Sequence, residues 1–340
     1  MSKRSMSRRE ALRITAFTGL SAAFGGGLAV GILRDAGLHR VSETRTRMGT
    51  VVTLTVVHPD AGAAREMVDG AFRAMTRIEG VLSRHRADTA VGRLNAEGRL
   101  ADAPRELVDV LGHAEQISRA SDGAFDVTVA PLLSLFERAF ERGGSPPSDG
   151  DVQAALALVD YRGVRLVNGG VAFDDRRMSL TLDGIAKGYI VDRTIDVLTN
   201  AGAERVLVNA GGDMSTAGPG SRDEPWTIGL QDPHSERDVV GFVRLGGECI
   251  ATSGDYMRSF TEDRAFHHIV DPRTGRSPEE TSSVTVVAGS AMNADALSTT
   301  VLVLGPKDGL AMLEGLADTE GLIVTKSGGR LLSSGMALRG

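Results

Sequence analysis

The sequence predicts an α+β fold, and three observations carry that reading. Short β-branched runs and segments of 3.6-residue apolar period follow one another in mixed order, not as a regular βαβ repeat. No GxGxxG follows a strand and no Walker A lysine is present, and HExxH and GxSxG are absent too, so dinucleotide redox folds, P-loop enzymes, zincins and α/β-hydrolases lose support. With 340 residues, 41% hydrophobic and 24% charged, the chain can bury a large core, enough for roughly two domains or one enlarged domain.

The first element is a targeting segment. Ser7-Arg8-Arg9-Glu10-Ala11-Leu12-Arg13 precedes an uncharged, Gly- and Ala-rich stretch from Ile14 to Leu33, the twin-arginine export pattern with Ala11 where a bulky apolar residue is usual. As a helix that stretch reaches about 30 Å, enough to span a bilayer, whereas Gly25-Gly26-Gly27 weakens both hydrophobicity and helix propensity. Residues 1–33 therefore read as a twin-arginine signal or an N-terminal anchor, with the body expected in the periplasm or at the outer face of the cytoplasmic membrane. No Cys follows the segment, which excludes lipoprotein anchoring, and the single Cys249 forbids an intramolecular disulfide and reads as a small buried apolar residue. The formal charge of −6 becomes −10 without residues 1–33, since 33 basic and 43 acidic residues remain. A body that acidic is a poor nucleic-acid binder.

Elements then alternate. Thr50 to Val57 is a β-branched run closed by His58-Pro59, and Met67, Val68, Ala71, Phe72, Met75 and Ile78 mark a helix. A second helix spans roughly Arg105 to Ala120, and Gly143-Gly144-Ser145-Pro146-Pro147-Ser148 reads as a surface loop and the best boundary candidate. Next comes Leu182-Asp183-Gly184-Ile185-Ala186-Lys187-Gly188-Tyr189. Ile190, Val191, Thr194, Ile195 and Leu198 follow at helical spacing and Gly202 stands where that helix would stop, so Gly184 lies at a helix N-terminus. A strand from Arg205 to Val208 ends in Asn209-Ala210-Gly211-Gly212-Asp213, and another lies around Trp226 to Leu230. Ile250 to Tyr256 reads as a small-residue turn, His268 to Gly275 places an imidazole before a tight turn, and Ala294 to Val303 is helical.

Chemistry collects at three of these places. Free N–H groups and the positive end of the helix dipole at Gly184 favour a bound phosphate, and Lys187 adds a point charge; equally, Asp183 can be a simple N-cap and Lys187 a solvated side chain. Asp295 and Thr299 stand four apart on one helix face, which suits a hard cation such as Mg²⁺ or, as readily, a side-chain hydrogen bond. His268 is a candidate base or a structural hydrogen-bonding residue.

Together these residues resemble the ApbE-type FAD:protein FMN transferases. The matching segments are Met48-Gly49-Thr50, Ser83 with Arg93-Leu94-Asn95, Ser121 to Asp126, Leu182 to Tyr189, Asn209 to Asp213, Trp226 with Asp232-Pro233, Ala251 to Tyr256, His268 to Gly275, and Asp295 to Thr299. They run in family order from about Thr44 to Gly305, nearly the whole body of the chain.

The resemblance implies an ApbE-like fold over residues 40–340, with mixed or antiparallel sheets, flanking helices, a loop insert at about 143–150, and an FAD cleft between two halves. It implies that FAD is bound with Mg²⁺, that its pyrophosphate is split, and that FMN is joined by a phosphoester bond to a threonine hydroxyl of an exported or membrane-bound FMN-binding-domain protein, releasing AMP. Relatives that hydrolyse FAD to FMN and AMP make a pyrophosphatase the alternative, and an exported FAD-binding protein without catalysis is a third. Carried over residue by residue, Met48, Ala124, Phe125, Asp126, Lys187 and Val270 become cofactor contacts, and the Gly184 carbonyl, Asp295 and Thr299 become metal ligands. His268 becomes the base for the acceptor hydroxyl, with Asp271 the weaker alternative. Two positions depart from the family pattern: His85 stands where an aromatic such as Tyr is usual, and Thr181 where many members carry Asp, a contact Asp183 could replace.

Overall fold

The computed structural model describes residues 37–220, 224–235 and 237–339, so the twin-arginine segment lies outside the described residues. Among the described residues thirteen strands and seven α-helices alternate in mixed order, the α+β class expected. The strands are β1 His39–Arg47, β2 Thr50–His58, β3 Arg99–Leu100, β4 Val164–Val167, β5 Gly170–Phe173, β6 Arg205–Ala210 and β7 Asp213–Ala217. They continue as β8 Trp226–Gln231, β9 Val239–Leu245, β10 Cys249–Gly254, β11 Thr281–Ala288, β12 Glu320–Thr325 and β13 Arg330–Leu332. The helices are α1 Ala61–Leu82, α2 Ala90–Glu97, α3 Arg105–Ala120, α4 Ala130–Gly143, α5 Asp149–Leu156, α6 Ala186–Asn200 and α7 Ala291–Glu314.

An eight-stranded antiparallel sheet in the order β1-β2-β6-β7-β10-β11-β12-β13 organises the molecule. Alternation along its strands buries both faces. Val52, Leu54, Val56, Val206, Val208, Ala251, Val284, Val286 and Ile323 point into the main core beneath α1, α6 and α7. Their neighbours Met214, Ile250, Leu322 and Val324 point the other way and are covered by the β8–β9 hairpin through Trp226, Ile228, Leu230, Val243 and Leu245. Helix α1 follows the expected 3.6 period: Ala64, Val68, Ala71, Phe72, Met75, Ile78 and Leu82 are its buried stripe. Its start is fixed by Asp60, whose Oδ1 accepts from the backbone of Gly62 (2.6 Å) and Ala63 (3.2 Å).

Three sequence segments take on more definite shapes. Met48-Gly49 and Gly211-Gly212 are two-residue hairpin turns with all four φ angles positive (52°, 70°, 66° and 108°), joining β1 to β2 and β6 to β7. The tips abut, since a Cβ on Gly211 would lie 2.3 Å from Thr50 Oγ1. Ile250 to Tyr256, expected as a turn, is instead strand β10 as far as Gly254. Pairing with β11 makes it a strand, and its small residues leave room for helix α7, which lies directly on them. The Gly/Pro/Ser insert links α4 to α5, which share one apolar cluster of Leu132, Leu133, Phe136 and Val152, so it is a surface link within a single cluster and marks no boundary between cores. Helix α7 runs well beyond the expected Ala294–Val303, bending at Gly305 (φ 82°) ahead of Pro306.

Candidate functional site

One end of the main sheet opens into a pocket whose empty space, with the open solvent at its mouth, is about 800 Å³. Five separate parts of the chain line it: Ala124–Val127, the entry to α6 with Thr181, Asp183, Gly184 and Lys187, the end of β10 with Thr252, Ser253 and Gly254, His268–Val270, and α7 with Asp295 and Thr299. Local staples set these segments. Asn95 accepts from the Leu180 backbone N–H and donates to its carbonyl, both at 2.8 Å, and the Thr181 N–H donates to Val127 O at 2.8 Å. The entry to α6 and the Ala124–Val127 segment are thereby held side by side.

The oxygen-rich floor forms where α6, β10 and α7 meet. Gly184 does not have a positive φ; it is held by close approach, because an added Cβ would lie 3.1 Å from Thr299 Oγ1 and 3.5 Å from the Phe125 ring. Thr299 Oγ1 is 3.0 Å from Ser253 Oγ, which is itself 2.8 Å from Ser298 Oγ. The Asp295 carboxylate accepts from the Gly188 N–H through Oδ2 (2.9 Å). Gly188 is glycine because a Cβ there would stand 2.2 Å from Ala291 O, the point where α6 crosses the start of α7.

Charge at the floor is arranged around Lys187. Its ammonium lies 2.7 Å from Asp213 Oδ2, and Asp213, at the β6–β7 turn, is 1% exposed. Burial raises the Asp213 pKa and Lys187 partly offsets this. Burial, then the neighbouring Asp213 charge, lift Asp295 well above the ordinary carboxylate range. Burial opposes the Lys187 charge, yet the carboxylates of Asp213 and Asp295 outweigh it and raise its pKa. The floor thus holds two buried acids and one base, and a cation bound there would favour the ionised form of Asp295 that burial opposes.

At the rim, His268 lines the pocket and its Nδ1 lies 3.1 Å from Arg258 O. A carbonyl only accepts, so Nδ1 carries the proton and Nε2 keeps a lone pair. Burial pushes the pKa of His268 down to about 4, leaving the ring neutral at physiological pH. Asp271 instead holds Arg273 through two contacts of 2.9 Å, an engagement that leaves it less suited to act as a base. Arg84 Nε donates to Asp183 Oδ2 at 2.8 Å and its Nη2 to Glu137 at 3.1 Å. Asp183 is therefore tied to an arginine and does not act as a helix N-cap.

Of the residues with expected roles, Ala124, Phe125, Asp126, Thr181, Gly184, Lys187, His268, Val270, Asp295 and Thr299 are brought together in the pocket lining. Asp126 contributes little of its carboxylate, which accepts from Thr128 N (2.7 Å), Thr128 Oγ1 (2.6 Å) and Tyr161 N (2.8 Å). Two residues stand outside the lining. Met48 sits in the β1–β2 turn, its N–H donating to Glu79 at 3.0 Å, and the side chain of His85 is 61% exposed, 4.0 Å from Asp183. Asp213, Ser253 and Arg84 join the site without a role in the sequence reading. An acid closing a Gly-Gly turn was the available signal for Asp213.

The donor set answers whether Mg²⁺ suits the floor. Among the described residues no three His, Cys, Asp or Glu side chains gather as a metal cluster. One carboxylate, a hydroxyl and a backbone carbonyl at Gly184 fit a hard cation that takes oxygen ligands and completes its shell with water and substrate phosphates.

Comparison with known proteins points one way. A sequence model of the ApbE family matches residues 48–323. An FAD:protein FMN transferase of Klebsiella pneumoniae is 34% identical over 299 residues, 86% of this chain and 91% of that protein. One from Salmonella typhimurium is 31% identical, with 82% and 83% covered. The solved flavin transferase ApbE of Vibrio cholerae superposes with a TM-score of 0.78 at 27% identity, covering 87% of this chain and 98% of that one. The ApbE protein of Thermotoga maritima reaches 0.80 at 30% identity, covering 87% and 97%.

Proposed function

The chain belongs to the ApbE family, and from that premise we propose that it is an FAD:protein FMN transferase that uses Mg²⁺ and modifies a threonine hydroxyl of a partner flavoprotein. The observation that carries the reading is the convergence of Asp295, Thr299 and Gly184 at the floor with the neutral, lone-pair-bearing His268 at the rim of the same pocket.

The chemistry is a displacement at the FMN-side phosphorus of FAD. The acceptor hydroxyl forms the new P–O bond, the bond to the AMP oxygen breaks, and AMP leaves with the pyrophosphate electron pair. When bound, Mg²⁺ supplies charge neutralisation across the pyrophosphate oxygens. Asp295, Thr299 and the Gly184 carbonyl would hold it, and Lys187 would face the phosphates while Asp213 keeps its ammonium in place. Nε2 of His268 takes the proton of the attacking hydroxyl, which its neutral form permits. Phe125 and Val270 supply apolar walls for the flavin or adenine rings.

Residues 1–33 further support export by the twin-arginine route, which would bring the enzyme to acceptors outside the cytoplasm or at the outer face of the membrane. Among the described residues no helix is long and apolar enough to cross a membrane.

Incubation with FAD, Mg²⁺ and an FMN-binding domain, followed by intact-mass measurement, tests the activity. An acceptor heavier by one FMN, lost when its threonine is replaced, is the expected result. Rapid turnover of FAD to free FMN without acceptor would overturn transfer in favour of hydrolysis.

A further inference from the structure

Helices α6 and α7 exchange carboxylates. Asp295 of α7 accepts the N–H of Gly188 in the first turn of α6. In return Asp192, one turn further along α6, accepts the N–H groups of Ala291 (2.7 Å) and Met292 (2.9 Å), the first two residues of α7. Each helix thus has its free N-terminal donors satisfied by an acid of the other, in a buried crossing where Gly188 touches Ala291. The ordinary N-cap of α7 is present as well: Ser290 Oγ accepts from Asn293 N at 3.2 Å. Asp192 therefore does more than end a helix, since it ties the start of α7 to the strip of α6 that holds Asp295.

We infer that Asp192 is a positioning residue for the metal site: by docking the first turn of α7 on α6 it fixes where the Asp295 carboxylate stands relative to the Gly184 carbonyl. The inference rests on the Mg²⁺ reading above. With Asp192 in place, Oδ2 of Asp295 is committed to Gly188 while Asp295 lines the pocket. Without it, the first turn of α7 has two orphan donors and is free to rotate away from α6, carrying Asp295 and Thr299 with it. Groups that orient metal ligands in this way typically change metal affinity about 10- to 100-fold when replaced.

The test compares Asp192→Asn with Ser290→Ala in the full-chain protein. Asparagine keeps the size of Asp192 but presents an NH₂ group to one of the two N–H donors. Ser290→Ala removes a cap of the same helix without touching α6. Mn²⁺ binding to the protein without FAD, followed by electron paramagnetic resonance, gives a direct readout, and the Mg²⁺ concentration for half-maximal AMP release gives a second. Asp192→Asn should weaken Mn²⁺ binding and raise the Mg²⁺ requirement about tenfold, with the FAD KM at saturating Mg²⁺ nearly unchanged, whereas Ser290→Ala should lower only the melting temperature. Equal effects of the two variants on metal binding, or a lower melting temperature with unaltered metal binding in Asp192→Asn, would overturn the inference. Should Asp192→Asn fail to fold, Asp192→Glu, which keeps the charge and displaces it by one methylene, carries the same expectation and the same refutation. Wild-type protein that binds no Mn²⁺ either alone or with FAD would instead sink the metal reading itself.

Discussion

Replacing Lys187 by methionine isolates the electrostatics of the pocket floor. Methionine keeps most of the apolar stem but removes the ammonium 2.7 Å from Asp213. Asp213 is 1% exposed, so its ionised form would be left buried without its cation. Breaking a buried pair in this way costs about 3–5 kcal/mol, and because the Lys187 side chain is itself 24% exposed the lower end, about 3 kcal/mol, is the expectation at pH 8. The sign of the pH dependence follows from the direction of the shift. Burial already holds the Asp213 pKa above its ordinary value, and losing Lys187 raises it further. The folded state then binds a proton that the unfolded chain has released, so the loss starts above the ordinary Asp range of about pH 4 and grows as pH rises, smaller at pH 5 than at pH 8. Urea unfolding of wild type, Lys187→Met and Lys187→Met/Asp213→Asn at pH 5 and pH 8 measures all three quantities. The single variant should lose much more stability at pH 8 than at pH 5, and Asp213→Asn in that background should recover most of the loss without recovering transfer. Equal losses at both pH values, or no recovery in the double variant, would refute the reasoning.

Three further outcomes are expected. Asp295→Asn keeps an acceptor for the Gly188 N–H while removing a charge that burial already disfavours, so its melting temperature should not fall although Mg²⁺-dependent AMP release drops at least tenfold; a large loss of stability would contradict this. His268→Ala should slow transfer about 10²- to 10⁴-fold with FAD binding retained, as read by stopped-flow and flavin fluorescence. Because burial holds the His268 pKa at about 4, its base form persists below pH 6, and an acid limb of kcat/KM near 6.5 in the wild type would assign the base elsewhere. Gly188→Ala forces a methyl group to within 2.2 Å of Ala291 O, which should cost about 1–3 kcal/mol in denaturant unfolding and reduce activity together with it.

Much of this was legible in the sequence because the signals were local. The apolar period that marked Met67 to Ile78 is the buried stripe of α1, and the helix expected from Arg105 to Ala120 has those bounds as α3. The octapeptide from Leu182 to Tyr189 read as a turn entering a helix, which is how it folds, since Ile185 and Ala186 both donate to Leu182 O. What escaped was set by distant partners. Thr252 and Ser253 look like turn residues in isolation, and only pairing with β11 makes them strand. Asp183 looks like a cap until Arg84, far earlier in the chain, claims it. Gly188 and Asp192 read as ordinary members of a helix because nothing in their own neighbourhood discloses α7 crossing above them.

The pocket draws on separate stretches of chain, beginning at Ala124 and ending at Val303, stitched together by the sheet. No fragment of the chain owns a usable share of it, so a nascent or partly unfolded molecule has nowhere to keep its nucleotide. Occupancy of the pocket is therefore possible only once those stretches have come together. A ligand that binds only the finished molecule draws the folding equilibrium toward it in proportion to the logarithm of its free concentration, so the apparent stability of the chain would rise with the concentration of free flavin nucleotide.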